Sequence, residues 1–413
     1  MHKTHAGLAA ALALALASAV PAASGPLSAS PGVSAPRLAR IGEFVERQMA
    51  TGEMPGAVTL VARNGKVVHL QAQGYADFAS KKPMQKDSLM RLASMTKPVV
   101  ATAVMLLVED GKVRLDDPVS RFIPAFKDVK VAVPRTVPAG SPPGTPAYYT
   151  VPVERPLTVL DLLTHTGGLV SGAISTAAAA PVMDRRRAEG VKALEDLAAV
   201  PLEFQPGTRW QYSGLAGFEL LARIVEIAST QRFGDFMQQR ICGPLGMKDT
   251  TFWPTDAQRS RMATLYVMGE RGMAPHPDPD RLNTPVLDSG GGGLITSIES
   301  YARFAMMLAN GGELDGVRIL SPASVRIMGS RVIPETMQGR QPGEGYGLGV
   351  RSITDPAARH TLLGQGSFGW SGSYGTHFWV DPARKLVAIL FVQTPGQPRT
   401  ADFETAVMQA VLD

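Results

Sequence analysis

The chain has 413 residues, of which 45% are hydrophobic and 19% charged, a composition typical of a globular protein rather than a disordered one. Its formal charge of +5 is spread along the sequence without a run of like charges, which excludes nucleic acid as a partner because phosphate binding needs clustered basic residues. Cys242 is the only cysteine, so no disulfide can form within the chain, and we expect a small buried residue there. The histidines show no metal-ligand spacing, so no metal or other cofactor is expected.

The N-terminal residues have the pattern of an export signal. Lys3 precedes an apolar stretch from Leu8 to Ala19, which small residues follow. This predicts a signal peptide over residues 1–23 and a flexible leader over 24–36, rich in Ser, Pro, Gly and Ala, with the mature protein periplasmic or secreted. No later segment is long and apolar enough to be an integral membrane helix.

The first folded elements surround a serine. Apolar residues at helical spacing predict a helix over Leu38–Ala50, and short alternating runs around Asn64-Gly65 predict a hairpin within Gly56–Gly74. A second helix is predicted from Pro98 to Glu109. Ser94 therefore lies where a loop turns into that helix.

The middle of the chain is predicted to be mostly helical. Residues 129–156 hold seven prolines, which neither a helix nor a central strand tolerates, so this segment is expected to be an excursion or insertion. Helical patterns dominate from Leu157 to about Ser260, including Thr158–Thr164, Val191–Ala199 and Ser213–Ala228. We assign residues 126–285 to a helical part.

The pattern changes after Gly290. A helix is predicted over Ser300–Asn310 and a closing helix from Asp402, with strands between them at Tyr346–Val350, Gly375–Val380 and Lys385–Gln393. The two ends of the chain, residues 37–125 and 286–413, are expected to join into one α/β part of a single domain over 37–413, into which the helical part is inserted.

Ser94-Met95-Thr96-Lys97 is the first motif that carries chemistry. A serine hydroxyl is a weak nucleophile until a base takes its proton, and a lysine one helical turn later projects onto the same face. At a helix N-terminus, free N–H groups also favour the oxyanion that forms when a carbonyl is attacked. The pattern predicts an acyl-transfer serine.

With this motif the chain resembles serine β-lactamases, penicillin-binding peptidases and the esterases similar to class C β-lactamases, the family VIII carboxylesterases. The resemblance runs from about Arg37 to Asp413. It implies a β-lactamase/transpeptidase-like α/β fold, with an antiparallel sheet flanked by helices and an inserted helical subdomain. It also implies a small ester or amide as substrate; the sequence specifies no oligomeric state.

Two further motifs fit the resemblance. Trp210-Gln211-Tyr212-Ser213-Gly214 is similar to the family's second motif and makes Tyr212 the candidate base, sharing protons with Lys97. Trp370-Ser371-Gly372 stands where the third motif is expected on a strand facing the serine. The resemblance implies an oxyanion hole formed by the N–H groups of Ser94 and Ser373, and substrate contacts from Trp370, Gly372 and Ser213.

The departures from the motifs favour an esterase. Gly214 replaces the asparagine of many β-lactamases, and the third motif lacks its lysine; both groups help to recognise a β-lactam. A D-amino-acid peptidase, a weak β-lactamase and a non-catalytic envelope binding protein remain alternatives. His165 is interpreted as a packing residue rather than a catalytic one, and the absence of G-x-S-x-G argues against an α/β-hydrolase elbow. Gly364–Gly369 matches G-x-G-x-x-G but precedes a strand instead of a helix, which argues against a dinucleotide site.

Overall fold

The computed structural model describes residues 32–270, 272–283, 286–396 and 398–413. The predicted signal peptide and residues 24–31 of the leader lie outside these ranges. The last leader residues are part of the fold: Val33 pairs with Val411, and the first helix begins at Ala35. The prediction of a leader reaching residue 36 is therefore wrong at its end, because backbone pairing with the C-terminus holds these residues.

The helices are distributed along the whole of the described chain. The α-helices are α1 (Ala35–Ala50), α2 (Lys97–Glu109), α3 (Val159–Thr164), α4 (Ala173–Glu189), α5 (Val191–Asp196), α6 (Ala216–Ser229), α7 (Phe233–Met237), α8 (Asp256–Arg259), α9 (Ile298–Ala309), α10 (Pro322–Gly329), α11 (Pro356–Arg359) and α12 (Pro398–Met408). Short 3₁₀ segments cover Ala93–Thr96, Val119–Arg121, Pro124–Asp128 and Leu197–Ala199, and a π-helical turn covers Gln238–Cys242.

One large antiparallel sheet and four small ones contain the strands. The strands are β1 (Gly56–Arg63), β2 (Lys66–Asp77), β3 (Lys82–Pro83), β4 (Leu89–Arg91), β5 (Lys130–Pro134), β6 (Tyr148–Pro152), β7 (Tyr266–Gly269), β8 (Gly272–Pro275), β9 (Ile295–Ser297), β10 (Glu313–Leu314), β11 (Val317–Arg318), β12 (Glu344–Tyr346), β13 (Arg351–Ile353), β14 (Phe368–Ser371), β15 (His377–Asp381) and β16 (Leu386–Phe391). The large sheet has eight strands in the order β12-β13-β14-β15-β16-β1-β2-β3.

Helices cover both faces of the sheet. On one face, α1 and α12 pack against the sheet and each other, with the rings of Phe44 and Phe403 6.1 Å apart. On the other face, α9 lies against β15, β16 and β1, and a continuous core joins it to α2 and α6. Strand β1 is buried along its whole length because it lies between these two layers. The predicted antiparallel sheet flanked by helices is confirmed.

Most of the predicted elements are present. The helix at α1, the hairpin of β1 and β2 around Asn64-Gly65, and the helix at α2 are confirmed. Both hairpin residues have positive φ, 51° and 74°, as the tight turn between twisted strands requires. The proline-rich segment forms the separate hairpin of β5 and β6, outside the large sheet.

The strand predicted at Tyr346–Val350 is wrong. Tyr346 ends β12, and the next residues form a turn closed by the Gly347 N–H, which donates to the Val350 carbonyl at 2.9 Å. Gly349 has a φ of +73° and lies against the Lys97 carbonyl of α2. A Cβ at Gly347 would come within 1.9 Å of the Met328 carbonyl oxygen, and the positive φ of Gly349 favours glycine, so the chain turns here rather than extending. Within the described residues, no helix is long and apolar enough to cross a membrane.

Candidate active site

Ser94 lies in the 3₁₀ turn that leads into α2. The preceding Ala93 has a φ of +47°, a left-handed conformation that costs a non-glycine residue about 1–2 kcal/mol. Packing of Ala93 against Leu265, Leu282 and Tyr374 holds it in place. The Tyr301 hydroxyl donates to the Met95 carbonyl at 3.0 Å, so the turn is fixed on both sides of the serine.

Lys97 is fully buried beside Ser94. Its Nζ contacts three oxygens: Ser94 Oγ at 3.1 Å, the Gly214 carbonyl at 2.6 Å and the Gly291 carbonyl at 2.7 Å. An ammonium has three donors and no acceptor, so these partners satisfy it completely. The carbonyls come from the second motif and from the glycine run after Asp288, which explains why both segments surround the nucleophile.

Tyr212 completes the predicted trio. Its hydroxyl donates to Ser94 Oγ at 2.7 Å. The ring is held by aromatic neighbours: His165 at 4.6 Å and Trp370 at 5.4 Å between ring centroids. Tyr346 packs in turn against both His165 and Trp370. The structure thus brings Ser94, Lys97 and Tyr212 into one hydrogen-bonded cluster, with the Tyr212 ring fixed by packing.

The third motif lies on β14, as predicted. Trp370 is half-buried behind Tyr212 and outside the set of described residues that line the cavity in front of Ser94. A Cβ at Gly372 would come within 2.1 Å of the Leu92 carbonyl oxygen and 2.2 Å of Thr376 Oγ1. The close approach that Gly372 permits is therefore to the backbone before Ser94, and this refines the expected approach to substrate.

The two predicted oxyanion donors face the same space. Ser94 and Ser373 both line the cavity, and neither backbone N–H donates to another described backbone carbonyl. Ser373 is exposed in the turn that Gly372 and Gly375 close. Both N–H groups therefore belong to residues that line one cavity and have no described backbone acceptor, as an oxyanion hole requires.

Ser213 and His165 have structural contacts. Ser213 is buried; its hydroxyl accepts from the Gly217 N–H at 3.3 Å, at the start of α6, and its own N–H donates to His165 Nδ1 at 3.3 Å. The expectation that Ser213 binds substrate is therefore corrected, since its polar atoms face the protein. Burial, with the charges of Lys97 and Arg340, lowers the pKa of His165 well below its ordinary value, so the ring stays neutral.

The cavity in front of Ser94 has a volume of about 510 Å³. Its lining includes Tyr212 and Gly291 but also charged residues that the motifs do not indicate, and these are Asp184, Arg186, Arg187, Asp278 and Arg281. A larger cavity of about 720 Å³ lies between α10 and β13. None of the three motif residues Ser94, Lys97 and Tyr212 lines that second cavity, so the smaller one is the candidate active site.

A buried ion pair connects the cavity wall to the segment beneath Lys97. Arg186 of α4 donates to Glu219 of α6 at 2.8 Å, and Ser289 Oγ donates to the same oxygen at 2.6 Å. Burial raises the pKa of Glu219, although Arg186 and Ser289 oppose this rise. Because Ser289 is two residues from Gly291, which accepts from Lys97, this pair fixes the backbone around the lysine.

Sequence reasoning missed a second hydrogen-bonded serine, on the opposite face of the sheet. Ser371 Oγ lies 2.9 Å from His377 Nδ1, and His377 Nε2 lies 3.1 Å from Glu404 Oε1. Glu404 also accepts from Arg351 at 2.6 Å. A histidine six residues after the W-S-G serine was the only signal, since Glu404 reaches it from α12.

Comparison with known proteins agrees with this geometry. A sequence model of the beta-lactamase family matches residues 41–412. The chain belongs to the beta-lactamase family. As such it is a member of the serine hydrolase superfamily, and the family resemblance inferred from the three motifs is confirmed.

Cys242 is buried, which raises the pKa of its thiol to about 12, so it carries no thiolate at neutral pH.

Several known proteins align with most of the chain. Protein Rv1367c of Mycobacterium tuberculosis is 37% identical over 361 residues, covering 83% of this chain and 86% of its own. Esterase EstB of Burkholderia gladioli is 32% identical over 401 residues, covering 90% and 94%. Among solved structures, EstCE1, a hydrolase with promiscuous acyltransferase activity, has a TM-score of 0.75 at 24% identity, covering 92% of this chain and 99% of its own. That structural likeness shows the shared fold.

Proposed function

We propose that the protein is a carboxylesterase that cleaves short-chain esters through an acyl-enzyme on Ser94. The observation that carries this proposal is the contact of Ser94 Oγ with both Tyr212 and Lys97, at 2.7 and 3.1 Å. Two proton-transferring groups on one hydroxyl are what nucleophilic catalysis by serine requires. A protein that only binds its ligand has no need of this arrangement.

Lys97 can serve as the base without leaving its position. A neutral amine has two N–H groups and one lone pair. With the N–H groups donated to the carbonyls of Gly214 and Gly291, the lone pair points at Ser94 Oγ. Proton transfer from Ser94 then yields the ammonium with all three partners satisfied, so the surrounding carbonyls stabilise the product of this step.

The acylation step follows from the same contacts. Ser94 Oγ attacks the ester carbonyl while the N–H groups of Ser94 and Ser373 stabilise the oxyanion. Tyr212, hydrogen-bonded to the same Oγ, passes a proton to the alkoxide leaving group as the C–O bond breaks. Water then attacks the acyl-enzyme and gives a proton to the Tyr212 phenolate, and the acid leaves as Lys97 returns its proton to Ser94 Oγ.

Two features support an ester rather than a β-lactam as substrate. The third motif carries Trp370 where β-lactamases carry a lysine, and Gly214 is exposed with nothing within 4 Å of a Cβ built on it. The 32% identity with esterase EstB supports the same substrate class. The 29% identity with penicillin-binding protein 4 of Amycolatopsis lactamdurans keeps a peptidase as the second candidate.

The proposal is tested by hydrolysis of p-nitrophenyl butyrate and nitrocefin by the wild type, Ser94→Ala and Tyr212→Phe, with fluorophosphonate labelling of each. We expect ester turnover and labelling in the wild type, and ester turnover at most about 1% of it in both variants. Activity that survives Ser94→Ala would contradict the mechanism. A preference for nitrocefin would favour the β-lactamase or peptidase alternative, and absence of labelling would favour a binding protein.

We also propose that the protein is exported, on the basis of the N-terminal pattern alone. The test is fractionation of cells that express the full chain, followed by N-terminal sequencing of the product. A mature protein that begins after about residue 23 in the periplasm or medium supports the proposal, whereas a full-length cytoplasmic protein contradicts it.

A further inference from the structure

Arg281 lies on the segment after β8 and lines the same cavity as Ser94 and Ser373. Its Nε donates to the hydroxyl of Tyr374 at 3.3 Å, and Tyr374 directly follows Ser373. The two terminal amino groups of the guanidinium make no hydrogen bond or ion pair with any residue that the structure describes. Arg281 therefore places a positive charge at the cavity, and its two terminal amino groups have no partner among the described residues.

The backbone of Arg281 is fixed relative to the reacting serine. The next residue, Leu282, packs in one apolar cluster with Ala93 and Tyr374, which are the neighbours of Ser94 and Ser373. The Arg281 carbonyl also accepts from Arg186 Nη2 at 3.4 Å, and Arg186 is held by its buried pair with Glu219. The segment that carries the guanidinium thus packs against the neighbours of both predicted oxyanion donors, Ser94 and Ser373.

The other charges around the cavity are mostly neutralised. Arg186 pairs with Glu219, and Arg187 pairs with Asp278. Asp184 is exposed on α4 and has no ion pair with a described residue. Arg281 and Asp184 are the two lining charges left over, and Arg281 is the one anchored beside Ser373.

We propose that Arg281 selects substrates that carry a carboxylate, so that the natural substrate is an ester with an anionic arm. This inference rests on the proposed esterase function and specifies its substrate class. A guanidinium offers parallel N–H donors that match a carboxylate in a bidentate pair. The anchoring of Nε to Tyr374 leaves that donor pair free for the substrate.

Two matched pairs of esters test the proposal. Monophenyl glutarate and phenyl glutaramate differ only in a carboxylate against an amide on the acyl side, and 3-carboxyphenyl and 3-carbamoylphenyl butyrate differ in the same way on the leaving group. We expect Arg281→Met to lower kcat/KM about fivefold to tenfold for the carboxylate member of one pair, and less than about twofold for the amide members. Raising the salt concentration should reduce the wild-type preference.

Arg326→Met is the matched control. Arg326 is another exposed arginine, but it lines the distant cavity between α10 and β13, so the variant should keep the wild-type preference. Asp184→Asn should act in the opposite direction and raise turnover of the carboxylate esters, because it removes the competing negative charge. Equal loss for carboxylate and amide esters in Arg281→Met, or no loss for either, would overturn the proposal. Absence of hydrolysis of all four esters by the wild type would instead overturn the proposed esterase function.

Discussion

The large sheet has a hydrogen-bonded serine on each face, and the two differ in what surrounds them. On the α2 face, Ser94 contacts Lys97 and Tyr212 and opens to a cavity. On the α12 face, Ser371 contacts His377, which contacts Glu404. By residue type alone, the serine, histidine and glutamate of the second set are the more familiar hydrolase combination.

Backbone setting separates the two serines. Ser94 lies at the start of a helix with its N–H free, and Ser373 adds a second free N–H at the same cavity. Ser371 lies within β14, paired with His377 of β15, and is not among the described residues that line that cavity. A nucleophile needs room for a carbonyl and donors for its oxyanion, and the α2 face supplies both. The hydrogen bonds of Ser371, His377 and Glu404, the α12 network, connect strand β14 to the C-terminal helix α12.

The first prediction compares two variants, one that removes the Lys97 amine beside Ser94 and one that removes the Ser371 hydroxyl on the other face of the sheet. Lys97→Met should lower kcat/KM for p-nitrophenyl butyrate about 10²–10⁴-fold, because it removes the base beside Ser94. Ser371→Ala should leave kcat/KM within about twofold of the wild type, because its hydroxyl serves packing between strands and α12. The measurement is steady-state kinetics on both purified variants.

Thermal unfolding of both variants is the control, since each removes a buried hydrogen bond. The expected difference between the two serines is contradicted if Ser371→Ala loses as much activity as Lys97→Met while its unfolding temperature stays near that of the wild type. That result would give the α12 network a part in the chemistry.

The second prediction concerns Glu404 and the dependence of the unfolding free energy on pH. Burial by itself would raise the pKa of Glu404, but the hydrogen bond from His377 and the charges of His377 and Arg351 lower it to about 2. A carboxyl whose pKa is lowered in the folded state adds stability above its unfolded pKa, near 4.5, and loses it as the pH falls towards 2. Lowering the pKa from 4.5 to about 2 corresponds to about 3 kcal/mol of unfolding free energy.

Glu404→Gln should remove that contribution. Urea unfolding at pH 7, 5, 4 and 3 should show the variant less stable than the wild type at pH 7, with the difference shrinking below about pH 4.5. Glu43→Gln, at an exposed position of α1, is the control and should follow the wild type at every pH. A difference between Glu404→Gln and the wild type that stays constant down to pH 3 would contradict the ionic account of this network.

The sequence predicts the site better than its surroundings. Ser94, Lys97, Tyr212 and the β14 motif could be located because each combines a residue type with a position at a helix start or on a strand. The helix α2 and the hairpin of β1 and β2 were predictable because their apolar periods and turn residues are local signals. These are features that a few neighbouring residues determine.

The remainder depends on contacts between distant segments. Arg281 gives no signal in the sequence, since only the packing of Leu282 on Ala93 places it at the cavity. The strand predicted at Tyr346–Val350 has the right residue types, but tertiary contacts with α2 and α10 impose a turn. The Ser371, His377 and Glu404 network joins residues of two strands and α12. The Arg186–Glu219 pair joins two helices through residues that are 33 positions apart.

The smallest expected effect concerns two buried tyrosines on the same side of the sheet as Ser94. Tyr346 is fully buried, and its hydroxyl has no hydrogen-bond partner among the described residues. Tyr301 is equally buried, but its hydroxyl donates to the Met95 carbonyl. Tyr346→Phe should leave the unfolding free energy unchanged or raise it by up to about 1 kcal/mol, whereas Tyr301→Phe should lower it by about 1 kcal/mol, because only Tyr301 loses a bond and strands a carbonyl. Urea unfolding of both variants decides this, and a larger loss in Tyr346→Phe than in Tyr301→Phe would show that the Tyr346 hydroxyl, not only its ring, supports the packing around Tyr212.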